Sequence, residues 1–87
     1  MSEVETVRQE LEKATSLVGT ARRLLAGGTM VDLGALEGKV RLICNAVVRL
    51  GAEEGQPFRS GMEALIADLD QLAAEIKERY DPLGPKL

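Results

Sequence analysis

The sequence predicts an all-α protein, a three-helix up-down-up antiparallel bundle, and three observations carry that prediction. Apolar residues recur at alternating spacings of three and four along most of the chain, which is the period of one helix face. Two glycine-bearing breaks, Gly27-Gly28 and Gly51 to Gly55, cut the pattern into three segments. The connections between the segments are short, and short connections fold consecutive helices back on one another. Residues 1–80 are expected to form a single helical domain and residues 81–87 a short flexible tail, because proline at 82 disfavours helix at Asp81.

The first helix is expected over residues 3–26. Val4, Val7, Leu11, Ala14, Val18, Ala21 and Leu25 form its stripe, with Leu17 and Leu24 widening it. Ser2 followed by Glu5 is a capping-box signature, and the Gly27-Gly28 pair supplies a left-handed stop. The second helix, over 33–50, has Leu33, Leu36, Val40, Ile43, Val47 and Leu50 on its stripe. Asp32 caps it, Val31 and Leu36 staple it, and Gly51 closes it. The third, over 57–80, carries Phe58, Met62, Leu65, Leu69, Leu72 and Ile76, with Ile66, Ala73 and Tyr80 broadening the face. Pro57 suits a first helical position, and Ser60 is the cap of a slightly shorter version.

Charge placement follows the same plan. Glu3, Glu5, Glu10 and Glu12 lie early in the first helix while Arg22 and Arg23 lie at its end, where they complement the helix dipole. Arg8–Glu12, Glu37–Arg41, Arg59–Glu63 and Glu75–Arg79 are spaced to pair along exposed faces, each adding about 0.2–0.5 kcal/mol.

Composition narrows the function. The formal net charge is −3 and the basic residues are scattered, so no basic stripe exists for a nucleic-acid partner. No apolar run approaches the roughly 20 residues a membrane span needs, and the Met-Ser-Glu-Val-Glu start is unlike a signal peptide. A cytoplasmic protein without a membrane partner is therefore expected. Histidine is absent, which rules out Ser–His and Cys–His nucleophilic arrangements. Asp68 and Asp70 point to opposite sides of a helix, Glu53-Glu54 is expected in a loop without other calcium ligands, and no phosphate-binding glycine motif occurs. Ser60 stands in Arg-Ser-Gly-Met and not in the Asp-Ser-Leu setting of an acyl carrier protein. Cys44, the single cysteine, flanks the second stripe and reads as a small buried hydrophobe. The expectation is a non-enzymatic protein with no catalytic residue, cofactor or metal.

The second helix carries the features that the bundle does not absorb. Gly34 and Gly38 lie opposite its stripe together with Arg41, Asn45 and Arg49, although each glycine costs about 1 kcal/mol relative to alanine in a helix. Ala35, Leu42, Ala46 and Val48 also lie outside the stripe, so the helix is apolar over more than a peripheral bundle helix requires. These residues point to a module that docks an amphipathic helix of a protein partner. Gly34, Gly38, Leu42, Ala46 and Val48 are the expected contacts, with Arg41 and Arg49 setting electrostatic register. The alternative from the same residues is a structural homo-oligomer, such as a homodimer, that buries this surface against a second copy.

The run from Leu24 through Gly27-Gly28 to Asp32, Leu33, Leu36 and Glu37 resembles small bacterial flagellar export chaperones. In that family a first helix ends in a short glycine turn and a second opens with an acidic residue and a leucine-rich start. The likeness extends loosely over Val4 to Tyr80. It implies a cytosolic helical bundle that holds an aggregation-prone helical segment of a flagellar subunit until export, and it carries no individual binding residue.

Overall fold

The structure, a computed structural model, describes residues 2–80, and the expected flexible tail at 81–87 lies outside the described residues. The described residues are all-helical, with no strand among them. Helix α1 spans Glu3–Ala26, α2 spans Leu33–Gly55, and after a 3-10 turn at Gln56–Phe58 helix α3 spans Arg59–Tyr80.

The ends of α1 follow from local hydrogen bonding. The Glu5 N–H donates to Ser2 Oγ at 3.1 Å, while the Glu5 carboxylate pairs with the Arg8 guanidinium. At the other end Gly28 takes φ 98°, the Thr29 N–H donates to the Leu24 carbonyl at 2.9 Å, and the Gly28 N–H donates to the Leu25 carbonyl at 3.0 Å. These two bonds make a Schellman stop, and the left-handed residue it needs is glycine because residues with a Cβ rarely adopt a positive φ. Asp32 then starts α2, its Oδ1 accepting from the Ala35 N–H at 3.1 Å.

The expected end of the second helix is corrected in one respect. Gly51 does break the helix, with φ 89° and ψ 172°, but the chain resumes a helical turn through Gly55 instead of entering a loop. Glu53 and Glu54 therefore stand exposed on that turn. The third helix is also shorter than 57–80, because Pro57 sits within the 3-10 turn and the α-helical pattern begins at Arg59. Proline is tolerated there because its fixed φ suits the opening of a new helical segment.

The core runs along the stripes that were expected. From α1 it takes Ala14, Val18, Ala21 and Leu25, from α2 Val40 and Ile43, and from α3 Met62, Leu65, Leu69 and Leu72. Each helix packs on the other two. Gly61 of α3 lies against Leu11 of α1, and Glu75 of α3 against Arg22 of α1, so the register advances in the same direction on both helices. Between α1 and α2 it runs oppositely: Leu17 shares a groove with Lys39, whereas Thr6 shares one with Ala46.

Candidate functional site

The three helices contribute unequally to the core, and α2 contributes least. Its buried apolar residues are Val40 and Ile43, while Leu33, Leu36, Cys44 and Val47 are partly buried against the cluster. Leu42 and Val48 are 70% and 77% exposed, which leaves two large apolar side chains on α2 in water. Burying either would be worth about 1.5–3 kcal/mol, so their exposure marks apolar surface that the fold itself does not use.

Helical periodicity places these residues on either side of a ridge. At about 100° per residue, Leu42 and Val48 point about 120° apart, with Gly34, Gly38 and Asn45 between them. Leu42 and Ala46 line the groove toward α1 with Thr6, Val7, Glu10 and Lys39, and Arg49 stands at the end of the same groove with Glu3 and Leu50. Val48 lines the groove toward α3 with Cys44, Val47, Met62 and Ile66. Gly34, Gly38 and Arg41 line neither of these grooves. The seven candidate residues therefore do not meet in one pocket; they cover two shallow grooves and the crest between them.

The crest is low at Gly34 and Gly38, ahead of Leu42, and carries Asn45 at the height of Leu42 and Val48. A Cβ added at Gly38 would meet nothing within 4 Å, and one at Gly34 would meet only Asp32 Oδ1, the capping oxygen, at 3.5 Å. Neither glycine is demanded by packing inside the chain. The helix bears the propensity cost of Gly38, about 1 kcal/mol, without an internal contact in return, whereas Gly34 lies in the first turn, two residues past the Asp32 cap.

A second charged feature was not anticipated. Arg22 donates from Nε at 3.2 Å and from a terminal nitrogen at 2.9 Å to the two carboxylate oxygens of Glu75, a bidentate bridge from α1 to α3. Gln71 adds a longer contact to the same carboxylate at 3.4 Å. The hydrogen bond from Arg22 holds the Glu75 carboxyl below its ordinary pKa, and the same bond raises that of Arg22. Arg22 is thus a cross-helix partner and not a dipole partner, and Glu75 is taken away from Arg79. Arg23 donates to Thr20 Oγ1 at 3.2 Å. Nothing local signalled the bridge, since its members are 53 residues apart. Of the other expected pairs, Arg8 and Glu12 approach to 4.0 Å, whereas Glu37–Arg41 and Arg59–Glu63 do not form among the described residues.

Among the described residues no group of three or more His, Cys, Asp or Glu side chains is arranged to hold a metal ion, and no helix is long and apolar enough to cross a membrane. Cys44 is a free thiol, partly buried against the core. No family model, curated protein or solved structure matches the chain.

Proposed function

We propose that this protein is a non-enzymatic helical binding module, a cytoplasmic chaperone or adaptor, which docks an amphipathic helix of another protein against the outward side of α2. The arrangement behind it is an up-down-up antiparallel trio, a reading supported by the shared direction of the Leu11–Gly61 and Arg22–Glu75 contacts and the opposed register of α1 and α2. The observation that carries the function is the exposure of Leu42 and Val48 on the two flanks of a crest that holds Asn45 between them and Gly38 and Gly34 before them. An incoming helix lying along this crest would pass over Gly34, Gly38 and Asn45 in turn and cover one apolar side chain on each flank, the helix-in-groove mode of recognition.

A flagellar subunit is one form the partner takes in this proposal. The residues behind that likeness act here as a Schellman stop and an aspartate cap, so the docking surface itself is the stronger guide. Photo-crosslinking residues placed at 42 and 48, with controls at the exposed positions Gln9 and Asp70, test the reading in the native cell. Adducts to a discrete protein from 42 and 48 and none from the controls are expected. Equal labelling from all four positions would remove α2 as the docking element.

A further inference from the structure

Helix α2 is neutral over Leu33–Gly55, but its charges are unevenly placed: Lys39, Arg41, Arg49 and the single carboxylate Glu37 precede the break at Gly51, and Glu53 and Glu54 follow it. Helix α3 is net acidic, with Arg59, Lys77 and Arg79 against Glu63, Asp68, Asp70, Glu75 and Glu78. Arg41 and Arg49 are exposed and join no ion pair among the described residues, as is true also of Arg23, Arg59, Lys77 and Arg79; what sets the α2 pair apart is that they flank two exposed apolar side chains. Lys39 differs from them in sharing the α1 groove with Glu10 and Glu12, and Arg49 has Glu3 at the end of its groove.

Arg41 and Arg49 are arranged around the two exposed apolar side chains. Arg41 and Val48 are seven residues apart and share one flank of the crest; Leu42 and Arg49, with the same spacing, share the other. Each flank therefore presents one cation and one large apolar group, in opposite order along the helix. The two arginines lie about 12 Å apart along the axis, at about 1.5 Å per residue.

We infer that the outward face of α2 receives an acidic amphipathic helix of another protein, with carboxylates seated on Arg41 and Arg49 and apolar residues on Leu42 and Val48. This rests on the reading above that α2 is the docking element, and it adds the partner's chemistry. A second copy of the chain that presented its own α2 would bring Arg41 and Arg49 against the same cations, so like charge disfavours that occupant. An anionic membrane surface would meet two apolar groups diverging by about 120° and no continuous apolar face, which is poor geometry for insertion. A helix running along the crest over Asn45 meets both flanks at once.

The test uses the full chain and a synthetic, lactam-constrained amphipathic helix of about 18 residues, with leucines at i, i+3 and i+7 and glutamates eight apart on the flanks, alongside an analogue with lysine at every glutamate. Binding is read by fluorescence anisotropy at two salt concentrations. The acidic peptide is expected to bind with an affinity that falls as salt rises, and the lysine analogue at least about tenfold more weakly. Arg41→Glu/Arg49→Glu should reverse that preference and Arg41→Gln/Arg49→Gln should abolish it, with circular dichroism showing both variants folded. Equal affinity for the two peptides, no binding of either, or indifference to the arginine substitutions would overturn the proposal. So would charge-dependent capture by phosphatidylglycerol-containing vesicles without peptide binding, or tight self-association unaffected by these variants. Adducts from 42 and 48 to a protein without an acidic helix would refute the charge inference alone and leave α2 as the docking element.

Discussion

The seam between α1 and α3 and the outward side of α2 are built from similar helices to opposite ends. Along the seam, leucines such as Leu65 and Leu72 are at most 1% exposed, Gly61 admits Leu11 to close approach, and Arg22 clamps Glu75 through two hydrogen bonds. On the outer side of α2, the leucine and valine are exposed, Gly38 faces open space, and Arg41 and Arg49 join no ion pair among the described residues. The difference separates what holds the fold together from what remains to be used. Residue type alone does not distinguish the two regions; what each residue meets does.

The comparison is broken most directly by truncating apolar residues on each side. Leu72→Ala, at a site of 0% exposure, should cost about 2–5 kcal/mol in urea unfolding. Leu42→Ala and Val48→Ala should each stay within about 0.5 kcal/mol of the parent chain. Comparable losses at all three positions would mean that the outer side of α2 is part of the core.

Glycine substitutions sharpen the same contrast, with opposite signs. A Cβ at Gly55 would lie 3.0 Å from the Val47 carbonyl oxygen, a backbone atom that cannot swing aside, so Gly55→Ala should destabilise by about 1–3 kcal/mol. At Gly38 the same substitution meets open space and should stabilise by up to about 1 kcal/mol. Thermal melts of the two variants read both signs. Between them in size falls Asp32→Ala, which removes the Ala35 cap and should cost about 1 kcal/mol.

The smallest effect concerns pH. Arg22 lowers the folded-state pKa of Glu75 below its ordinary 4.5, so the bridge contributes stability that is complete above that value. The contribution is lost as pH falls through the lowered folded pKa. Glu75→Gln should therefore flatten the acid limb of the stability profile below about pH 4.5 and leave its shape at neutral pH unchanged. Because both side chains are about one-third exposed, at 38% and 31%, the effect should shrink as salt is raised.

Much of the fold was legible because it is encoded locally. The Ser2 and Asp32 caps, the Gly28 stop and the three stripes are properties of adjacent residues, and the helices begin and end close to where those signals lie. The signals that failed were those that depend on distant partners. Gly51 looks like a terminator and does break the helix, but the resumed turn brings Gly55 close against Val47, eight residues back, which adjacent residues do not signal. Arg22 at a helix end satisfies the dipole rule, and only the placement of α3 beside α1 reveals Glu75 as its partner. The candidate site was legible in part for the same reason. Periodicity puts Gly34, Gly38, Arg41, Leu42, Ala46, Val48 and Arg49 off the core stripe, yet their division between two grooves depends on where α1 and α3 lie.

The double variant Leu42→Ser/Val48→Ser, followed in parallel by thermal unfolding and by partner crosslinking from a probe at the exposed crest residue Asn45, tests the account at its centre. An unchanged melting transition with loss of the crosslinked partner is the result it predicts. A melting transition lowered as far as that of Leu72→Ala, or a partner retained in full, would contradict it.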